Sequence, residues 1–337
     1  MSICIRELKD EDVELVEGFA AEDPFNPYRN YPLAKTKGKG PLFAREIWHA
    51  KNDGDMTLWA ALHRDRCVGL IGLDRLKWDS GHFGIPMARL WPFSLCIHEC
   101  GDPRLVAERL LQTALELSTR WGIRHVACRV TGENFFGIHS LQRAGFLMMD
   151  TLVTYLYRRG KSRAPECRGK YKVRLYQEED LPQILNIARE AVYEGRFTRD
   201  PWVQVEKVTR MYEAWSQRCC ERSMADEVLV AEAGEEVRGF LGYRMNTFFT
   251  EQTGLELWGG GLSVVARKGV GAYASLLAAA VTREFEGRDH SVQPNVPDLI
   301  DFETQLSNSA ILRVWQEFGY LMVRFTHAFH RGFNGQA

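Results

Sequence analysis

The chain is laid out twice on one plan, and this repetition limits its fold more than any other feature. Near the N-terminus, "ICIRELKDEDVELVEGFA" (residues 3–20) reads as an alternating strand, an acidic turn and a helix. "YKVRLYQEEDLPQILNIAREAV" (residues 171–192) repeats the plan, with helical apolar positions at Leu181, Ile184, Leu185 and Ala188. Ile5, Arg6, Asp12 and Val13 correspond to Val173, Arg174, Asp180 and Leu181. The halves match again where "HVACRVTGENFFGIHSLQRAGF" (residues 125–146) lies against "LIDFETQLSNSAILRVWQEFGY" (residues 299–320). In each, an apolar strand runs to Asn134 or Asn308, a helix of about three turns follows, and Gly145 or Gly319 ends it before an aromatic residue.

At 337 residues the chain exceeds one ordinary core, so the duplication predicts two domains. The basic stretch "RRGKSRAPECRGK" (residues 158–170) contains Gly and Pro and interrupts the periodic pattern on both sides. It reads as a connection, which places domains at 1–160 and 170–337 with a linker at 161–169. Each half supplies strands, at 58–63 and 67–76 or 228–232 and 237–246, and then a long helix at 103–121 or 272–286. Each is therefore expected to be an α/β domain with a mixed sheet.

With 45% hydrophobic and 26% charged residues, the composition is that of an ordinary globular protein. A formal net charge of -1 offers no global field for nucleic acid or an anionic membrane, so neither is expected as a partner. The first residues, "MSICIRELKD", lack the basic and apolar regions of a signal peptide, and the apolar stretch at 272–281 is too short to span a bilayer. A cytoplasmic location is expected. The eight cysteines form no CxxC pair and read as free thiols. Cys96, His98 and Cys100 alternate as strand residues would, but a fourth ligand at sensible spacing is missing, so no metal is expected.

The stretch "VVARKGVGAYASLL" (residues 264–277) reads as strand, tight turn and helix. Gly269 and Gly271 let the backbone turn sharply and bare its N–H groups, and the helix start adds its positive end, so an anionic ligand is expected. "GVGAYA" satisfies a dinucleotide-binding fingerprint, and "RKGVGA" fits the turn that cradles the pyrophosphate of coenzyme A. A dinucleotide site needs an acidic strand end about twenty residues later. Here that region is the Pro-containing "GRDHSVQPNVPDL". That tells against a dinucleotide, and the turn by itself does not decide between the two.

The order of strand, helices, strands, glycine turn, helix, strand, Asn, helix and Gly-aromatic resembles the GNAT superfamily of N-acetyltransferases, in tandem. The resemblance implies a mixed, mostly antiparallel sheet flanked by helices in each half, and acetyl-coenzyme A as co-substrate. It places the coenzyme against Val264, Val265, Arg267, Lys268, Gly269, Val270, Gly271 and Ala272, with turn amides on the pyrophosphate. Asn308 matches the family Asn that meets the pantetheine arm or caps the last helix. Both roles stay open. The first half has only Gly101 before Pro103 where its glycine turn should be, so it is expected to be degenerate and not to bind coenzyme A.

Two further stretches resemble the branch of TDP-fucosamine acetyltransferase and its relatives, which acetylate a nucleotide-linked amino sugar. "LKWDSGHFGIP" places Trp78, Asp79 and Phe83 in that branch's aromatic and acidic signature, with His82 departing from the usual Phe. "YEGRFTRDPWVQVEKVTRMYEAW" places Arg196 and Phe197 in its Arg-Phe segment. These five are the expected acceptor residues. The aromatics equally suit packing under the sheet, and Asp79 a turn.

The family places a Tyr seven residues after the motif Asn as the acid for the leaving thiolate, and here that position is Trp315. An indole N–H donates a hydrogen bond but does not surrender its proton. Tyr273, Tyr320 and His327 are candidates to replace it, and hydrogen bonding alone is another route. Glu256 and Glu303 are candidate bases on neighbouring strands. The predicted catalytic set is thus Trp315, Tyr320 and Glu256. Glycines 259–261 would let strand amides serve a developing oxyanion. The partner implied is a small-molecule amine, with a homodimer as an open assembly state. Two alternatives remain: transfer to another small amine, an amino acid or a peptide N-terminus, and an acyl-coenzyme-A-binding module without turnover.

Overall fold

The computed structural model describes residues 3–33, 39–98, 101–162, 170–191, 193–287 and 296–333. Two compact units emerge. One comprises residues 1–152, 195–204 and 324–337, and the other comprises residues 153–194 and 205–323.

The first unit runs β1 (Cys4–Glu7), α1 (Val13–Glu22), α2 (Lys39–Asp53), β2 (Met56–His63), β3 (Arg66–Arg75), α3 (Lys77–Phe83), β4 (Met87–Leu95), α4 (Pro103–Arg120), β5 (His125–Thr131) and α5 (Phe135–Arg143), then enters β6 (Leu147–Arg158). The second continues from β6 through β7 (Lys172–Leu175), α6 (Leu181–Glu190), α7 (Val205–Cys220), β8 (Glu227–Ala233), β9 (Glu236–Met245), α8 (Thr247–Thr253), β10 (Leu257–Gly259), β11 (Ser263–Val265), α9 (Ala272–Thr282), β12 (Leu299–Gln305) and α10 (Ser309–Glu317), and enters β13 (Leu321–Gly332).

In the first unit the strand order is β1-β2-β3-β4-β5-β13, antiparallel except for the parallel pair β4/β5. In the second, β7, β8, β9, β10 and β12 follow one another, antiparallel except for the parallel pair β10/β12, and β11 pairs with β9. Helices flank both sheets, as expected for a mixed α/β fold. In the first unit, α4 presents Val106, Ala107, Leu110, Leu111 and Ala114 to a core that also holds Leu73, Leu90 and Val126. Its counterpart α9 is apolar all round and buried along its length from Ala272 to Val281, apart from Ala274.

The duplication has a physical basis at each end. Arg6 grips Asp12 through two hydrogen bonds of 3.1 and 2.7 Å, and Arg174 grips Asp180 through two of 2.7 and 2.8 Å. In both, the same carboxylate also accepts a backbone amide, from Lys9 or Gln177, at 2.8 Å. Asn134 and Asn308 each cap their helix by accepting the amide three residues on, from Gly137 or Ile311. Gly145 and Gly319 then take φ of 80° and 71°, the left-handed geometry that ends a helix.

The unit boundaries differ from the sequence division at 1–160 and 170–337. Residues 326–332 of β13 pair with β5 from Thr326↔Thr131 to Gly332↔His125, so this part of β13 belongs with the first sheet. Residues 195–204 join the same unit through Asp200, which accepts from His125 at 2.7 Å and His330 at 2.5 Å. Strand pairing and a buried polar cluster of this kind are long-range and leave no local signature. Most of the expected linker, from residue 163 to 169, lies outside the described residues.

Candidate coenzyme and acceptor cleft

A strand that changes partners opens the cleft. β10 pairs in parallel with β12 over Leu257↔Leu299, Trp258↔Ile300 and Gly259↔Asp301. The chain then bulges. Gly259 pairs with Arg244 but Ser263 pairs with Leu241, one residue out of register, so β11 follows β9 alone. Beyond the bulge β11 no longer pairs with β12, and Ser263–Val265 and Phe302–Gln305 become two walls of a cleft of about 640 Å³. The N-terminal wall adds Glu190, Tyr193, Glu194 and Tyr212, and the far end adds Asn308 and Trp315. All of these residues belong to the second unit.

The glycine turn forms as its spacing predicts. Gly269 donates to the Ala266 carbonyl at 2.7 Å and Ala272 to the Gly269 carbonyl at 2.8 Å, making two successive turns before α9. These two amides are therefore occupied, which corrects the expectation that the whole run 267–272 donates outward. Among the described residues the amides of Lys268, Val270 and Gly271 meet no acceptor, and they start a helix whose positive end suits a phosphate. Gly271 has φ of 92°, and a Cβ on Gly269 would lie 2.4 Å from the Arg238 carbonyl oxygen. The turn needs glycine at both places. The Tyr171 hydroxyl, donating to the Lys268 carbonyl at 3.3 Å, holds it from the side.

Of the expected coenzyme residues, Val264, Val265, Arg267 and Asn308 line the cleft. Lys268 and Val270 lie on the exposed turn, Gly269 and Ala272 are buried in it, and Gly271 starts the helix. The Asn308 amide donates to Thr304 at 3.1 Å while its oxygen caps α10, so the cap role is filled. In the first unit Asn134 instead reaches across to the Phe93 carbonyl at 3.2 Å, linking β4 to the head of α5. There too the start of the central helix is closed: the Asp102 carboxylate accepts from the amides of Arg104 and Leu105 at 3.1 and 3.2 Å. Two of the first amides of α4 are thus satisfied within the chain.

Trp315 is buried at the base of the cleft, and its indole N–H donates to the Tyr273 hydroxyl at 2.8 Å. The ring packs on Tyr155 and Phe302. The indole thereby fixes the Tyr273 hydroxyl oxygen, and among the described residues the Tyr273 O–H meets no acceptor of its own. Burial pushes the Tyr273 phenol well above its ordinary range, and the indole donor pulls it only partly back.

Tyr320 lies outside the cleft. Its ring is buried against Tyr157, and burial raises its phenol strongly. Glu256 precedes β10 and also lies outside the lining; its amide donates to Asp298 at 3.0 Å. His327 belongs to the first unit, 2.9 Å from the Thr151 hydroxyl. Glu303 does line the cleft, on β12. The bulge also brings Gly261 into the lining, with its amide lacking a carbonyl partner among the described residues.

The expected acceptor residues come together, but elsewhere. Trp78 stacks on His82 at 5.0 Å, His82 meets Phe83 at 4.9 Å, and Phe83 meets Phe197 at 5.1 Å, with the Arg196 guanidinium 4.5 Å above Phe197. Burial raises the Asp79 carboxyl, and the Arg196 charge opposes the shift. This is a packed aromatic cluster within the first unit, and none of the five lines the cleft.

Solved structures share this architecture. A GCN5-related N-acetyltransferase from Sphaerobacter thermophilus matches with a TM-score of 0.60 and 13% identity, over 98% of this chain and 95% of that one. A tandem GNAT protein from the clavulanic acid biosynthesis pathway matches at 0.55 and 13%, over the whole of both chains. The chain has the GNAT fold. A putative acetyltransferase from Pyrococcus horikoshii matches at 0.52 and 13%, over 98% of this chain and 90% of that one. No protein-family model matches the sequence, and no curated protein matches it. Among the described residues no helix is long and apolar enough to cross a membrane.

Proposed function

We propose that the protein is an acetyl-coenzyme-A-dependent N-acetyltransferase whose active site is the cleft between β11 and β12. One observation carries the reading: the parting of these strands sets a glycine turn with outward amides at one end of an opening and a phenol proton at its base. The turn amides and Arg267 take the pyrophosphate. Val264 and Val265 follow the pantetheine arm, with the acyl group toward Tyr273. The first unit, its helix start closed by Asp102, supports the fold and leaves the coenzyme to the second.

In the reaction a neutral amine nitrogen bonds to the thioester carbonyl carbon, the C–S bond breaks with its electron pair on sulfur, and the nitrogen proton is lost. Holding both reactants together supplies much of the rate. Glu303 is placed to receive the nitrogen proton, and the Gly261 amide to donate to the carbonyl oxygen. Tyr273 donates a hydrogen bond to the leaving sulfur. A thiol titrates near about 8.5 and an ordinary phenol near about 10. With its phenol raised further, Tyr273 stabilises the thiolate without giving up its proton, and sulfur takes its final proton through solvent.

The narrower expectation of a nucleotide-linked amino sugar leans on residues 78–83 and 196–197, outside the cleft. The acceptor is assigned here only as a primary amine. Thiol release from acetyl-coenzyme A over a panel of amines tests the activity. Amine-dependent release is expected, and coenzyme binding without release on any amine would make the protein a binding module.

A further inference from the structure

The base of the cleft is a floor of packed aromatic rings, all within the second unit. Trp315 lines the cleft, yet its ring is buried and has nowhere to retreat. Its centroid lies 5.4 Å from that of Tyr155 and 6.3 Å from those of Phe302 and Tyr320, and all three are buried as well. Phe302, which also lines the cleft, is within 15° of parallel to the indole. The hydrogen bond from the indole N–H to the Tyr273 hydroxyl, at 2.8 Å, pins the ring from one further side. Side chains packed to this degree resist displacement, because forcing more carbon among them drives rings and backbone out of their minima. The lining also holds Leu241, Val264 and Ile311, so hydrocarbon as such suits the cleft and only its length meets resistance.

We propose that Trp315 and Phe302 restrict the donor to short acyl groups: with the sulfur at the Tyr273 hydroxyl, an acetyl methyl fits over the rings, and a chain several carbons longer runs into them. The inference rests on the acetyl-transfer reading, which places the thioester at Tyr273. One methylene too many against a pocket wall changes discrimination by about ten- to two-hundred-fold. In an apolar cleft open at its base the same carbons would instead strengthen binding.

Calorimetry on the full chain, with no amine present, would compare acetyl-coenzyme A with hexanoyl-coenzyme A, with coenzyme A itself as the reference. The acetyl form is expected to bind at least about tenfold more tightly. The readout is the ratio of the two affinities within each protein, so a general loss in a variant cancels. Trp315→Leu should bring that ratio toward one, and Phe302→Leu, which changes the floor at its other lining ring, should lower it too. Equal or tighter binding of the hexanoyl form by the native chain, or a ratio that neither substitution lowers, would overturn the proposal.

Thiol release separates the two claims. A length preference in binding without amine-dependent release defeats the activity and keeps the floor. Binding and release that ignore chain length defeat the floor and keep the activity. No binding of coenzyme A in any form defeats the site itself.

Discussion

The indole N–H of Trp315 donates to the hydroxyl of Tyr273 across 2.8 Å, joining the last helix to the helix that follows the glycine turn. In the proposed reading the phenol comes from α9, whereas the resemblance to GNAT enzymes puts a Tyr at position 315 on α10. The relationship predicts how the two residues divide their work. Tyr273→Phe should lower kcat about 100-fold, the lower end of what removing one preorganised hydrogen-bond donor costs, while acetyl-coenzyme A still binds. Trp315→Phe keeps the ring and leaves Tyr273 unguided, so a smaller loss of about tenfold is expected. Steady-state kinetics on both variants checks the order, and a larger loss for Trp315→Phe would reverse the assignment.

The turn should be intolerant of any side chain at Gly269. A Cβ there would sit 2.4 Å from the Arg238 carbonyl oxygen, a backbone atom that has no rotamer to retreat into. Gly269→Ala should therefore raise the dissociation constant of coenzyme A by about tenfold or more, as the amides lose their alignment. Calorimetric titration measures it. Retained affinity would mean that the turn is not the phosphate site.

Acidification should weaken the first unit in a defined window. Burial holds His330 down to about 4, although its hydrogen bond to Asp200 opposes this. Burial pushes Asp200 upward, but the two imidazole hydrogen bonds outweigh it and keep the carboxyl below its usual range. An unfolded histidine titrates near about 6.5, so between that pH and about 4 the unfolded chain binds a proton that the folded one does not. Stability should fall as pH drops through this window, with Asp200 charged throughout. Denaturant melts of the full chain at several pH values should show the loss, and His330→Gln should flatten the slope.

The two Arg–Asp clamps should differ in strength. The Arg174 side chain is 18% exposed and Asp180 6%, whereas Arg6 is 44% exposed. Arg174 also binds Glu232 at 2.6 Å. Arg174→Ala should cost about 3 kcal/mol, as expected when one partner of a largely buried pair is removed. Arg6→Ala should cost about 1 kcal/mol or less. Denaturation midpoints of the two variants test the ranking.

The repeat was readable because its determinants are local. The Arg-to-Asp spacing, the Asn caps and the Gly stops act within one turn or one helix, and so does the 264–277 strand-turn-helix. What could not be read depends on partners distant in sequence. Nothing near Asp200 announces His125 or His330, and β13 carries no sign that it pairs with β5. Tyr273 lies two residues past the turn, but its role appears only when Trp315 is folded against it. Residues 78–83 and 196–197 pack on one another, yet the resemblance that singles them out does not specify which cavity they border.

The account stands most directly on one titration: coenzyme A against the full chain, beside the Gly269→Ala and Asp102→Ala variants. It predicts one site per chain, weakened by the change at Gly269 and untouched by the change at Asp102. Two sites, no heat of binding, or a site lost with Asp102 and kept with Gly269→Ala would contradict it.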